Sequence, residues 1–464
     1  MAGFDNRRML DTIRRLNRRN SKITLYKYIN KIHPSQMVYV YRHLHLIERK
    51  NIFQYIVRMQ GVGEFIKELD EILVKELFDF IDDKQILIIL HKMQSEDIAE
   101  LIEDLEPPKS QKIQDLLNKE ARSEVAEVLQ YDDESAGRIM SHEFMAFDSQ
   151  LSIKDARKQF RQYGEDIDMP FYIYVIDKSN NKMVGITSLR QLLLHDEEKI
   201  LQDIMEQDFI YISPNDDREK VANQMAEYNY LALPVLDQKN KLVGIVTVDD
   251  IIDVIREEAT EDILKMAGAG DDEDILLKSV IENAKTRFPW LMASWIGGIF
   301  ALFIISLFEK IMLEQVILAS FIPIIIGMGG NIGTQTSTII VRGIATGHVN
   351  IDEFYKVIFK EVKVGLLLGM VYGILLGLLG SLIPLLSDWG IFNFSVNTSS
   401  IQLGLTVSLS IFSSMSIACI VASIIPIILY KIKLDPAIAT GPFVTTAIDI
   451  LGVLAYFMIA TILL

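Results

Sequence analysis

Two stretches of this 464-residue chain concentrate oxygen donors inside otherwise apolar sequence. The first, P-I-I-I-G-M-G-G-N-I-G-T-Q-T-S-T at residues 323–338, sets Asn331, Thr334, Gln335, Thr336 and Thr338 among Gly327, Gly329, Gly330 and Gly333. Clustered glycines let helices approach closely and polar side chains bond across the contact, so the stretch serves either as a packing seam or as the wall of a hydrated path; it carries more oxygens than packing needs, which favours the path. The second, D-P-A-I-A-T-G-P-F-V-T-T-A-I-D, occupies residues 435–449. Asp435 followed by Pro436 reads as N-cap and first helical position, which predicts a helix over 435–464. At about 1.5 Å per residue Asp449 lies roughly 20 Å along it, near the middle of a bilayer core of about 30 Å. A carboxylate at that depth is costly unless water or a cation faces it. No basic residue and no other acid lies as deep in an apolar run, Thr445 and Thr446 stand at i−4 and i−3 on its face, and Thr440, Gly441 and Pro442 loosen a turn. One carboxylate with many neutral oxygens and no His or Cys cluster is a hard donor set, suited to Mg²⁺, Ca²⁺ or Mn²⁺ and not to Zn²⁺ or Cu. Mg²⁺ dehydrates reluctantly, so a path for it would hold the ion with much of its water shell.

Such residues need a membrane scaffold, and the apolar sequence is distributed accordingly. Five long apolar runs, 289–308, 316–341, 363–386, 401–430 and 436–464, all lie in the last two-fifths of the chain. Charge divides the chain in the same way. Residues 1–60 carry 13 basic side chains against 3 acidic, residues 61–275 carry 23 against 50, and residues 276–464 carry 10 against 9. A body with a net charge of −27 repels nucleic acid and gathers cations, so divalent metal ions are the expected partners. Lys278, Lys285, Arg287, Arg342, Lys356, Lys360, Lys431 and Lys433 fall in loops on one side of the five runs, with Lys363 at a span edge and only Lys310 on the other side; this predicts N-terminus inside and C-terminus outside. The N-terminus M-A-G-F-D-N-R-R has no apolar signal core. Cys419, the single cysteine, excludes an intramolecular disulfide and any CxxC site.

Ahead of the spans, Arg7, Arg8, Arg14, Arg15, Arg18 and Arg19 recur at helical spacing as a basic N-terminal arm, either a solvated face or one drawn to anionic inner-leaflet lipid. Over 62–131 apolar residues recur at three and four, giving a stack of short amphipathic helices with acidic outer faces. Glu96 and Glu100 share one face there and repel unless something neutralises them. From Arg138 to about Ile255 the sequence repeats. R-I-M-S, a helix and Y-I-Y-V-I-D-K-S-N-N-K-M-V-G-I-T-S-L-R-Q-L-L are followed by D-I-M-E, a helix and L-A-L-P-V-L-D-Q-K-N-K-L-V-G-I-V-T-V-D-D-I-I. This pair resembles tandem CBS domains, modules that often bind adenine nucleotides in their clefts. The Thr-x-x-Asp used on ribose is present as Thr247 and Asp250, whereas the first copy has Ser188 and Gln191 with Arg190 between them. The resemblance therefore makes ATP a candidate ligand, with Thr247, Asp250, Ser188 and Arg190 as its contacts. A helix over 249–270 carries Asp250, Asp253, Glu257, Glu258, Glu261 and Asp262 and leads through Asp271 and Asp274 to the first span.

The acidic helical domain ending Y-D-D-E-S-A-G-R-I-M, the CBS pair, the acidic linking helix, five spans, G-N-I-G-T-Q-T and the 435–449 motif together resemble the MgtE family of magnesium channels over essentially the whole chain. The implied architecture is a multidomain protein: an all-α helical superhelix at 1–131, an α/β CBS pair at 132–200 and 201–254, a plug helix at 255–275, and a membrane domain of five transmembrane helices at 276–464. The resemblance implies a homodimer in the prokaryotic inner membrane whose spans two and five line the pore. Asp449 would hold hydrated Mg²⁺ there, helped by Thr445, Asn331 and Thr446. It also implies regulatory metal sites drawn from Asp250, Asp253, Glu258, Glu261, Asp262, Asp435, Glu96, Glu100 and Glu219, with Asp435 sharing an ion with Glu258 or Glu261. Bare like charges near 6 Å cost roughly 3 kcal/mol per pair at an effective dielectric of about 20, so close packing of these acids predicts cations between them. The alternative is a CBS-regulated metal-sensing receptor without transport. No nucleophile or base beside an oxyanion site points to an enzyme.

Overall fold

Turn and capping residues arrive every eight to ten positions in the first third of the chain, and they cut it into short helices. The computed structural model describes residues 6–163, 171–270, 275, 277–349, 354–388 and 398–464. Its first ten helices are α1 (Asn6–Arg18), α2 (Lys22–Ile29), α3 (Pro34–Arg42), α4 (Leu46–Ile56), α5 (Val62–Lys67), α6 (Glu71–Phe78), α7 (Asp83–Leu90), α8 (Ser95–Asp104), α9 (Pro107–Leu116) and α10 (Lys119–Val128). Pro34 and Pro107 open their helices, where a missing N–H costs nothing, and Asp82 caps α7 by accepting from Gln85 N at 2.8 Å. Ile13, Leu25, Ile29, Tyr41, Phe53, Phe65, Leu77, Ile89 and Val128 share one buried core. The basic N-terminal stretch is therefore not an arm. Its helices α1 and α2 sink Met9, Leu10, Ile13, Leu25 and Ile29 into that core while Arg7, Arg8, Arg15 and Arg18 stay exposed. Arg14 turns inward, donating to the His43 carbonyl at 2.7 Å.

The repeat folds as two sheets with crossed connections. β1 (Ala146–Asp148) pairs parallel with β2 (Tyr172–Asp177), which pairs antiparallel with β3 (Lys182–Ser188); β4 (Ala232–Leu236) pairs antiparallel with β5 (Leu242–Thr247). A single parallel bridge, Ile212 to Val235, stands where β1 stands in the first copy. Each copy's leading segment pairs with the other copy's last strand: Glu206 exchanges hydrogen bonds with Ile186, and Ser141 with Ile245. This crossing explains the repeated glycines. A Cβ on Gly185 would stand 2.7 Å from Met205 Sδ, and one on Gly244 would stand 2.9 Å from Met140 Sδ. α11 (Ile153–Tyr163), α12 (Leu189–Leu194) and α13 (Arg218–Tyr228) complete the copies, and α14 (Val248–Met266) follows β5 directly.

The chain forms two compact units, Met1–Arg256 and Glu257–Leu464. In the second, α14 ends at Gly268, whose positive φ of 65° gives the left-handed turn that releases the chain. The acidic residues Asp271 and Asp274 lie outside the described residues. Among the described residues five helices are long and apolar enough to cross a membrane: Val280–Leu307, Val316–Ala345, Phe354–Pro384, Ser400–Lys431 and Thr440–Leu463. The corresponding elements are α15 (Val280–Leu307), the short α16 (Glu309–Glu314), a 3₁₀ turn leading into α17 (Ile322–Ala345), α18 (Phe354–Asp388), α19 (Ser400–Lys431) and α20 (Val444–Leu463). α15 starts nine residues before the Pro289 expected from the apolar run, because Ser279 and Glu282 form a capping box and Pro289 is absorbed in the helix. α19 is the buried centre, with Leu403, Val407, Ile411, Ala418, Cys419 and Ala422 in the core. Gly369, Gly373 and Gly377 of α18 lie against the α19 backbone, where an added Cβ would meet the carbonyls of Phe412, Ser408 and Gly404 at 3.1, 2.9 and 2.9 Å.

Candidate functional site

The helix expected over 435–464 is broken. Asp435 does cap a turn, accepting from Ala437 N at 2.7 Å. Residues Ala439–Phe443 then form a π-type turn in which Gly441 is non-helical (φ −75°, ψ −135°), and α20 begins only at Val444. Pro442 has no N–H to continue the ladder and Gly441 tolerates the bend, so the sequence that loosens the turn also breaks it. Asp449 is nine residues beyond Thr440, where the span begins, which at 1.5 Å per residue is about 14 Å. It therefore still lies inside the apolar span. It is partly exposed and makes no hydrogen bond or ion pair among the described residues.

Around it, the structure separates packing residues from open ones. Ile448, the preceding residue, packs into Gly329 and Gly333 of α17. The Thr445 hydroxyl donates to the carbonyls of Gly441 and Pro442 at 3.2 and 3.3 Å, which ties it to the kink. Thr446 fills the space over Gly297 of α15, where any Cβ would collide with it. The oxygens of α17 divide likewise. Thr336 and Ser337 are buried, with the Thr336 hydroxyl 3.5 Å from Cys419 Sγ, and belong to the seam. Gly327, Asn331, Thr334 and Gln335 recur along the opposite, exposed face, and nothing lies within 4 Å of a Cβ placed on Gly327. One further acid enters the membrane part against expectation. Glu361 is buried seven residues into α18, because that helix begins well before the apolar run.

The regulatory candidates fall into separate groups. In the first unit, Lys67 at the end of α5 places its ammonium 2.8 Å from Asp250 Oδ1 and 3.5 Å from Asp97 Oδ1. Asp250 Oδ2 accepts from the Thr247 hydroxyl at 2.5 Å. Burial by itself lowers the Lys67 ammonium, but Asp97 and Asp250 more than reverse this and hold it above the ordinary lysine value. Burial pushes Glu96 well above the usual carboxyl range, with Asp97 and Asp250 adding to the effect. Asp97 is also raised by burial, against the opposing charge of Lys67. Burial raises Asp253 too. Glu100 lies beside Arg138, which pairs with Glu103, and Glu219 sits in the first turn of α13. In the second unit, Lys265 Nζ is 2.6 Å from Asp435 Oδ2 and pairs also with Glu261. Asp262 is raised by burial and by Asp435. Lys265 thus stands between Glu261 and Asp435. Sequence reasoning missed Lys67, Lys265, Asp97 and Glu361. Among the described residues no group of three or more His, Cys, Asp or Glu side chains forms a ready metal cage. Of the nucleotide candidates, Ser188 caps α12, accepting from Gln191 N, and Arg190 is exposed.

A helical domain, paired CBS repeats and five membrane-length helices define a membrane protein of the divalent cation transporter class, and comparison with known proteins specifies it. The family described as divalent cation transporter matches residues 322–459, the CBS domain matches 136–198 and 201–257, and the MgtE intracellular N domain matches 32–134. The magnesium transporter MgtE of Bacillus subtilis (strain 168) is 32% identical over 444 residues, covering 96% of this chain and 95% of that one. That of Enterococcus faecalis (strain ATCC 700802 / V583) is 34% identical over 342 residues, covering 74% and 72%. The crystal structure of the cytosolic domain of the Mg²⁺ channel MgtE in complex with ATP superimposes with a TM-score of 0.50 at 26% identity, covering 53% of this chain and 99% of that one. The chain belongs to the MgtE family.

Proposed function

We propose that this protein carries hydrated Mg²⁺ across the prokaryotic inner membrane as a homodimer, with N-terminus inside and C-terminus outside, and that internal Mg²⁺ closes it through the acidic linking helix. The observation that carries the reading is Asp449: a carboxylate inside an apolar span, with no partner among the described residues. The face of α17 carrying Gly327, Asn331, Thr334 and Gln335 supports a path between two copies, since polar side chains turned outward from a single membrane bundle favour water or a second bundle. One charge and neutral oxygens suit outer-shell binding of Mg²⁺, with Mn²⁺ or Ca²⁺ as competitors. Two charges moving through about 100 mV gain roughly 4.6 kcal/mol, so entry needs no coupled ion. Purified protein in liposomes tests this. Asp449→Asn should abolish selective Mg²⁺ flux while the folded dimer persists, and normal Mg²⁺ flux through that variant would refute the assignment.

ATP is a second ligand in this reading, supported by the related cytosolic domain solved with it. Because Thr247 and Lys67 engage both Asp250 oxygens, the exposed Arg190 beside Ser188 is the freer phosphate contact. Calorimetry of the full chain should show ATP binding that weakens in Arg190→Ala. An absence of ATP heat in the wild type would remove the ligand.

A further inference from the structure

The joint between the helical domain and the second CBS repeat brings four carboxylates together. Glu96 and Asp97 come from the first turn of α8, and Asp250 and Asp253 from the start of α14. Packed this way, like charges repel, and the charge count alone calls for a dissolved cation between the two domains. The structure puts a side chain there. Lys67 reaches from α5 to Asp250, 183 residues further along the chain, with the Asp97 carboxylate on its other side. The contacts are sheltered: side-chain exposure is 29% for Lys67, 13% for Asp97 and 12% for Asp250. This distinguishes them from surface ion pairs that hold nothing together.

We propose that Lys67 is the resident cation of this joint, bridging Asp97 and Asp250 in the place of a dissolved divalent ion, so that the helical domain stays docked on the CBS pair whether or not Mg²⁺ is present. The inference rests on the gating reading above and deepens it, because it moves the Mg²⁺ response away from this joint, to acids of the linking helix beyond Arg256 that no lysine bridges. Two observations carry it. The N···O separations of 2.8 and 3.5 Å are those of an ammonium between carboxylates. Mg²⁺ would require oxygens at about 2.0–2.1 Å in an octahedron, and it cannot occupy the same bridging point while the ammonium is there. Asp250 is engaged on both oxygens, by Thr247 on one and Lys67 on the other. Glu96, only 7% exposed, leaves Oε1 without a partner among the described residues and lines a cavity with Ser95, Glu124, His142 and Glu143, so room for an ion lies beside Glu96 and not at the point the ammonium occupies. Burial also holds Glu96 and Asp97 toward their neutral forms, which reduces the charge one ammonium must balance.

Hydrogen exchange on the full-length protein in detergent, in EDTA and in millimolar MgCl₂, tests the proposal at the amides of α8 and of residues 248–256. Wild type should show the same protection in both buffers. Lys67→Met should exchange faster in EDTA by about tenfold, recover in MgCl₂, and behave like wild type when the substitution is Lys67→Arg. Amides around Tyr41 and Phe65 report whether the helical domain itself remains folded. Wild-type protection at the joint that depends on MgCl₂ would overturn the proposal, and so would a Lys67→Met protein as protected in EDTA as wild type. If Lys67→Met does not fold, the wild-type comparison decides alone. Flux indifferent to internal Mg²⁺ would remove the gating reading while leaving the exchange result standing.

Discussion

The contact between Lys265 and Asp435 gives the sharpest expectation for gating, because it joins the end of α14 to the turn that starts the last span. At 2.6 Å and an effective dielectric of about 20 the attraction is about 6 kcal/mol before losses. Desolvation and the ordering of a long side chain remove most of that. With side-chain exposure of 18% for Lys265 and 30% for Asp435, a net contribution of about 2 kcal/mol is consistent with charge-assisted bonds that are mostly sheltered. Burial alone would lower the Lys265 ammonium, and its bonds to Asp435 and Glu261 instead hold it above the ordinary lysine value, so it stays charged throughout the physiological range. Lys265→Met removes the bridge and leaves Glu261, Asp262 and Asp435 facing one another. If the docked arrangement is the closed one, its population relative to open falls by about 30-fold. The internal Mg²⁺ concentration that half-closes the protein should then rise several-fold. The full 30-fold is an upper bound, because a bare acidic group also binds Mg²⁺ more tightly. Initial influx into liposomes loaded with graded Mg²⁺ measures this. Combining Lys265→Met with Asp435→Asn should recover about 2 kcal/mol of coupling as non-additivity. An unchanged or lowered midpoint in Lys265→Met would refute the argument.

Two other expectations concern the first unit. Glu96 binds its proton more tightly folded than unfolded, so stability contributed at this site falls as pH rises above the ordinary carboxyl range toward its raised folded value, by about 1.4 kcal/mol per pH unit inside that window. Glu96→Gln should therefore stabilise the unit at neutral pH and flatten that slope in denaturant titrations; an unchanged slope would show that Asp97 or Asp253 dominates. Gly185→Ala and Gly244→Ala should each destabilise the CBS pair by about 1–3 kcal/mol, since both force a methyl group onto a methionine at an equivalent crossing. A large effect in only one of them would break the symmetry inferred from the repeat.

Most of the scaffold was legible because it is written in periodicity. Apolar length marked five spans, spacing of three and four marked short helices, and the repeated Asp-containing turns marked two sheets. Departures arose where one signal concealed another. The basic residues of α1 drew attention from Met9, Leu10 and Ile13 on its other side, which fold it into the core. Pro436 marked a helix start, yet Gly441 and Pro442, five and six residues on, end that first turn, and the span runs on from a second start. Glu361 falls just before the apolar run that begins at Lys363, whereas the hydrogen-bonded helix starts at Phe354 and takes it in.

The site was harder to read for a different reason. Net charge adds residues, whereas electrostatics depends on which residues meet. A balance of −27 over 61–275 correctly implies that acids must face acids, but it treats Lys67 and Lys265 as two terms in a sum and gives no sign that each stands between carboxylates. Lys265 had a local clue, since Glu261 precedes it by four residues on one helix. Lys67 had none, as Asp97 and Asp250 are 30 and 183 residues away in sequence. The consequence reaches function. A joint held by a dissolved ion follows the concentration of that ion, while one held by a lysine does not. In an acidic protein of this kind, the position of each lysine therefore decides which surfaces respond to Mg²⁺ and which stay fixed, and the acids without a lysine are where sensing is to be sought.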